Sequence, residues 1–259
     1  MPDVTHSYQS AFFDYINAGS LASARVIAPI ICRLLTPHSV LDVGCGAGAW
    51  CKVWKEAGVN AVVGVDGEYI DRQDLLFSIE DFHAQDLSKT FNLNSTFDIV
   101  ASLEVAEHVP EEYADVFIDN LVRHGKKILF SAAVPGQGGE FHVNEQPLHY
   151  WRKKFAERGY HCFDPLRPQI VADTRVESWY RYNTLLYVSE DMIPALTQEV
   201  LASNLSIDSK IPEMAPIGWR ARKAVIRSLP NAVINQLVKL KHAWVRRKIS
   251  RTHSIQRTG

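Results

Sequence analysis

Three acidic residues and a run of glycines are the first groups in this sequence whose types and spacing could do chemistry. In Val40-Leu41-Asp42-Val43-Gly44-Cys45-Gly46-Ala47-Gly48 an apolar run leads into glycines at every second position. Glycines there permit a sharp turn and let a ligand approach the backbone with no Cβ in the way. A dinucleotide fingerprint would read Gly-x-Gly-x-x-Gly, with a pyrophosphate on the N-terminus of the following helix. Here the third glycine comes one residue early, and Asp42 stands two residues ahead of the first. A carboxylate so placed repels a pyrophosphate and suits an ammonium group. Asp66, 20 residues beyond Gly46, ends the next apolar run, where a carboxylate can accept from both hydroxyls of a ribose. Asp86 follows a third, shorter run and suits the amino group of an adenine. The ligand these acids describe carries an ammonium, a ribose and an adenine, and no phosphate.

Such residues must sit at the ends of strands. Apolar runs predict strands at 39–43, 61–65, 82–84, 97–103 and 127–133, with 160–163 and 184–188 closing the sheet. Helical spacing fills the gaps at 49–57, stopped by Gly58, at 111–124, and at 146–158, stopped by Gly159. Residues 7–35 read as two helices broken near Asn17-Ala18-Gly19. Strand–helix alternation of this kind predicts an α/β protein with a doubly wound, seven-stranded, mostly parallel sheet.

With these motifs in order, the sequence resembles the class I S-adenosylmethionine-dependent methyltransferases of the small-molecule type. Asp42–Gly48 is similar to the family's first motif, Asp66 to its ribose-binding acid and Asp86 to its adenine-side acid. The segment Leu103-Glu104-Val105-Ala106-Glu107-His108-Val109-Pro110 is similar to ubiquinone-type O-methyltransferases and their bacterial relatives. The resemblance spans about residues 20–190 and implies a Rossmann-like fold with S-adenosylmethionine as cofactor. It places Asp42, Gly44, Cys45, Gly46, Gly48, Asp66, Gly67, Asp86, Leu87, Leu103 and His108 around that cofactor. The fourth strand lacks the Asn/Asp-Pro-Pro-Tyr of amino-group methylases, and no Pro-Cys pair is present for attack on cytosine. The expected reaction is O-methylation of a small molecule, sugar or lipid-linked glycan. N-methylation of a similar scaffold and an RNA-directed reaction are the alternatives.

In an open α/β sheet the substrate lies beyond the carboxyl ends of the strands. That directs attention to Val134–Pro147, a glycine-rich polar loop holding His142, Glu145 and Asn144. The resemblance makes His142 the candidate general base and His108 its alternative. A loop-ordering role for His142, with Asn144 capping the next helix, is the competing reading. Glu145 is a candidate for substrate binding. So are Arg175, Trp179 and Tyr180, where aromatic and arginine side chains could stack on a ring and grip a charge. The spacing of His142, Glu145 and His149 matches no tight ligand pattern, so no metal site is assigned.

Composition fits a water-soluble protein: 46% hydrophobic and 22% charged residues, with no apolar run long enough to cross a bilayer. Four cysteines without a CxxC pair speak against a zinc ribbon or a disulfide framework. The N-terminus has no basic region followed by an apolar stretch, so a cytoplasmic location is expected. Charge is lopsided. After Glu213 there are 11 Lys or Arg and no acid, leaving 17 basic against 29 acidic residues in the remainder. The chain therefore divides into N-terminal helices at 1–35 forming a lid, a cofactor-binding core at 36–190, a helix and linker at 191–216, and a basic helical tail at 217–259. Within the tail, residues 231–249 have apolar residues in line, a tryptophan among them, flanked by Lys and Arg. This pattern suits peripheral contact with an anionic membrane. Contact with the acidic body or a second subunit is the next reading, and nucleic acid the last.

Overall fold

Eight strands pair into one sheet in the computed structural model, which describes residues 4–227 and side chains from Gly19 onward. The order is β3-β2-β1-β4-β5-β7-β6-β8. The strands are β1 Ser39–Val43, β2 Ala61–Asp66, β3 Phe82–Ala84, β4 Ile99–Leu103, β5 Lys127–Ser131, β6 Tyr160–Phe163, β7 Leu185–Ser189 and β8 Asn204–Leu205. The first five run parallel, and β7 lies antiparallel between β5 and β6. Seven strands stand where the apolar runs predict them. The eighth is two residues of the expected linker, pairing with Cys162 and Phe163, and is too short to leave a periodic signal.

The central strands read as unbroken apolar runs because both faces are covered. On one face Val40, Val62, Ile99 and Leu129 pack against α1 (Val4–Leu35) and α2 (Ala49–Glu56), through Ala24, Ile27, Ile31, Trp50 and Trp54. On the other, Leu41, Val65, Val100, Ile128 and Phe130 meet Phe117, Ile118 and Leu121 of α3 (Ala114–His124) and Trp151 and Phe155 of α4 (Leu148–Ala156).

The expected break at 17–19 does not occur: α1 is one continuous helix. Gly19 serves close packing instead, since a Cβ there would lie 2.8 Å from Glu177 Oε1. Ser23 Oγ donates to the Gly19 carbonyl and accepts from the Glu177 amide, which docks α1 on the start of α6 (Ser178–Asn183). The buried part of α1 belongs to the core, and the side chains before Gly19 lie outside the described ones. Residues 191–216 form a 3-10 turn, the four-residue helix α7 (Gln198–Leu201) and β8.

The tail begins as α8, Ile217–Arg227, folded against the loop after β5. Gly136, at φ +82°, allows this approach, because a Cβ would run into the Lys223 carbonyl and the Arg227 side chain. Arg222 Nη1 donates to the Gln137 carbonyl at 3.1 Å, and the rings of Trp219 and Tyr182 meet at 5.9 Å. Residues 231–249, where a membrane-facing helix is expected, lie outside the described residues.

One buried ion pair fastens this side of the molecule. Arg167, at the start of α5 (Arg167–Ile170), is fully buried and grips both oxygens of Asp164, at 3.0 and 2.8 Å. Its Nη1 donates to the carbonyls of Tyr182 and Pro212, tying α6 to the segment that leads into α8. Removing one partner strands the other charge in the core. Asp164→Ala should therefore cost about 3–5 kcal/mol of stability, measured by denaturant unfolding.

Candidate active site

The parallel register brings Gly44 and Asp66 to the same sheet edge, where the amides of Gly44 and Cys45 donate to the Val65 carbonyl. A cavity of about 740 Å³ opens there. Gly44, Gly46, Asp66, Gly67, Asp86 and Leu87 line it from the β1–β3 side, and Glu104, Val105 and His108 close it from β4. Gly44 has φ +83°, and a Cβ there would overlap the Val105 side chain. Asp66 is 4% exposed and accepts from the amides of Gly46 and Gly67, each at 2.7 Å. The Tyr69 hydroxyl also donates to this carboxylate, as a sugar hydroxyl would. Burial and the neighbouring Asp66 charge push the Tyr69 phenol upward. Asp86 is held below the usual carboxylate range by its hydrogen bonds to Ser88 and Lys89. The glycine cradle and the buried carboxylate at the second strand end fit an adenosyl cofactor.

Four of the expected cofactor residues stand behind this wall. Asp42 is buried inside the sheet, pushed up to about 7 by burial, and accepts from Cys51 Sγ. Cys45 and Leu103 are buried, and the Phe77 ring covers Gly48. Tyr69, Glu104 and Val105 are cavity residues that spacing alone does not single out.

At the β4–β5 edge of this cavity a second group of side chains converges. Glu104 leaves β4 with φ +60° and leads into a 3-10 turn, Ala106–His108. The Glu107 carbonyl accepts from the amides of Val143 and Asn144, at 2.9 and 3.0 Å, which fastens the loop after β5 to this turn. Asn144 does not cap α4, which starts at Leu148. Its side-chain amide donates instead to the Val109 carbonyl.

This anchoring sets His142 beside Glu107 and His108. His142 Nδ1 lies 2.8 Å from Glu145 Oε1, and the Glu145 carboxylate is itself fixed by the amides of Gly136 and Gly138. With Nδ1 facing a carboxylate, Nε2 is the nitrogen that can accept a proton or ligate a metal. Nε2 lies 3.9 Å from Glu107 Oε1, and the His108 and His142 rings meet edge-on at 5.0 Å. Glu107 is 1% exposed, and among the described residues neither of its oxygens has a well-formed hydrogen-bond partner. Burial and then the Glu104 charge push its carboxyl well above the usual range. Burial, with the His142 charge second, lowers His108 to about 4.

Ligand atoms of Glu107, His108 and His142 all lie within 4.8 Å of one another. Two imidazoles and a carboxylate with open oxygens suit a divalent transition-metal ion. This set shares only His142 with the His142–Glu145–His149 combination considered from spacing. Glu145 instead orients His142, and His149 lines a different cavity. Arg175, Trp179 and Tyr180 are not brought to either group. Arg175 pairs with Asp173 at the surface. Trp179 packs on the core, and the buried Tyr180 hydroxyl lies 3.1 Å from Ser20 Oγ and 3.4 Å from Trp50 Nε1.

A family model described as a methyltransferase domain matches residues 19–165. No curated protein matches the sequence. Among solved structures, the chain is similar to a sugar N-methyltransferase from Streptoalloteichus, at 15% identity and a TM-score of 0.55, covering 70% of this chain and 92% of that one. It is also similar to an O-methyltransferase family protein from Burkholderia thailandensis, at 13% identity and a TM-score of 0.51, covering 68% of this chain and 59% of that one. At these identities the likeness speaks for the fold.

The three-residue cluster predicts a measurable affinity for Mn²⁺, followed by the loss of its free-ion EPR signal. Glu107→Gln should abolish it. Glu145→Gln, which releases the His142 ring, should weaken it by about 10- to 100-fold. Equal Mn²⁺ binding by Glu107→Gln would remove the cation from this cluster.

Proposed function

This chain belongs to the methyltransferase domain family, which its fold and cofactor cradle match, and we propose that it methylates a hydroxyl of a small molecule, a sugar or a lipid-linked glycan. Its cofactor is S-adenosylmethionine, which when bound supplies a methyl group activated on a sulfonium. Gly44, Gly46, Asp66, Gly67, Asp86 and Leu87 are the residues that would hold it.

The observation that carries the hydroxyl reading is the Glu145–His142 pair beside the buried Glu107. A neutral amine attacks through its own lone pair, whereas a hydroxyl becomes a good nucleophile as it loses its proton. Glu145, fixed by two backbone amides, orients the His142 ring and stabilises the imidazolium that forms when Nε2 takes that proton. The open oxygens of Glu107 can receive a hydrogen bond from the acceptor and so fix its approach. Holding the acceptor in line supplies much of the rate in a displacement of this kind. A divalent cation held by Glu107, His108 and His142 would occupy Nε2 in place of that proton, and would then activate the hydroxyl by Lewis-acid polarisation instead. N-methylation of a sugar is the second reading, favoured by the likeness to a sugar N-methyltransferase.

No described helix is long and apolar enough to cross a membrane. A cytoplasmic enzyme touching an anionic membrane through residues 231–249 accords with the charge asymmetry of the chain. Self-association through that segment is the other use of the same pattern, and nucleic acid is the weakest.

Asp66→Ala should weaken S-adenosylmethionine binding by about 1.5–3 kcal/mol in calorimetry, the range for hydrogen bonds to a charged group. Unchanged affinity would take Asp66 out of the cofactor site. Comparing metabolites of a deletion strain, in search of one a methylene lighter, identifies the acceptor. With that acceptor, His142→Ala should lower turnover by about 10²- to 10⁴-fold while cofactor affinity holds. A variant that keeps most of its turnover would assign His142 to ordering the loop.

A further inference from the structure

A second cavity, of about 890 Å³, is linked to the His142–Glu107 side of the first by a buried side chain, Gln137. Gln137 donates from Nε2 to Glu104 Oε2 on the cluster side, and its Oε1 accepts from Asn183 Nδ2 on the wall of the second cavity. The volume falls in the range of small-molecule sites.

The charge on its walls is one-sided. Arg152, Lys210, Arg220, Lys223 and Arg227 face two carboxylates, Asp208 and Glu213, and His149 also lines the space. Glu213 pairs with Lys223 at 3.3 Å. Arg152 stands out because it is only 7% exposed, and no carboxylate lies within ion-pair distance of it among the described residues. Its Nη1 donates to the Ser206 carbonyl at 2.9 Å, and its Nε has no partner among the described residues. A cation held out of water without a counter-charge is costly, and an anion beside it removes that cost. Arg220, Lys223 and Arg227 recur at helical spacing on one face of α8, which the Arg222–Gln137 contact holds in place. Part of the basic tail is thus committed to this cavity.

We propose that the cavity binds a phosphate-type anion carried by a small organic molecule. The excess of cations over acids suits a dianion, and arginines grip phosphate oxygens with a planar fork of donors. Val134, Leu148 and Ile211 on the same walls provide apolar surface for the rest of the ligand. The site is independent of the hydroxyl reading, since none of its residues holds the cofactor.

Calorimetric titration of the full chain with glucose 1-phosphate, inorganic phosphate and glucose tests this, with S-adenosylhomocysteine binding measured on every protein. Saturable binding of glucose 1-phosphate is expected, weaker binding of inorganic phosphate, and none of glucose. Arg152→Gln and the double variant Lys223→Gln/Arg227→Gln should each lose about tenfold or more in affinity for glucose 1-phosphate, with S-adenosylhomocysteine binding unchanged. The double variant lies on the surface helix and decides the matter if Arg152→Gln fails to fold. Equal affinity for both phosphates would overturn the proposal in favour of the free ion. Undiminished binding in the double variant would overturn it too. So would absence of anion binding in a protein that still takes S-adenosylhomocysteine, an outcome that leaves the methyltransferase reading standing.

Discussion

Parallel pairing of β1 with β2 and β4 is the constraint on which everything else in this molecule rests. Parallel strands deliver their carboxyl ends to one edge, so the glycine turn, Asp66 and Glu104 meet there although they are far apart in the chain. The same rule brings the loop after β5 alongside the turn after β4. Two amides of that loop on the Glu107 carbonyl then turn a shared edge into a defined geometry. The apolar cover on both faces keeps the register from slipping, because a shift of one residue would move every side chain to the opposite face and into packing shaped for another residue.

Much of this was legible from local pattern. The glycine turn and Asp66 could be read because a strand, a turn and the next strand end have fixed lengths. Asp42 is less directly legible: strand alternation turns its side chain toward α2, where it accepts from Cys51 Sγ, and it is not among the residues lining the cavity. The pairing of His142 with Glu145 lies within one turn of chain and was within reach. The meeting of His142 with Glu107 depends on two loops crossing at the sheet edge, for which spacing has no signature. Gly19 was misread for a related reason. A glycine inside a helix can mark a break or a close approach, and only the neighbour, Glu177, decides between them. That Arg152 is buried with no carboxylate of the described residues within ion-pair distance is likewise a property of the fold alone.

Electrostatically, the two cavities are opposites. Around the first, Asp66 and Glu107 are buried and Glu104 half-buried, and burial first, then the Glu104 charge, raises the cost of ionising Glu107. Around the second, cations predominate. Gln137 separates them with an amide, a neutral group that donates to the acidic side and accepts from Asn183 on the other. A carboxylate in its place would add like charge against Glu104, and an apolar residue would remove both hydrogen bonds. The polar wall thus satisfies hydrogen bonding on both sides while carrying no net charge of its own.

The division of labour along the chain has an evolutionary corollary. Most residues of the cofactor cradle come from the first half of the sequence, whereas His142, Glu145 and the second cavity come from β5 onward. At the cofactor edge the two halves meet through backbone hydrogen bonds at the Glu107 carbonyl, which any residue but proline at 143 or 144 can make. Lineages can therefore remodel the loop after β5 and α8 to suit a new acceptor without retuning the nucleoside grip, whereas β6, β7 and α4 share their core with the first half and have to be kept.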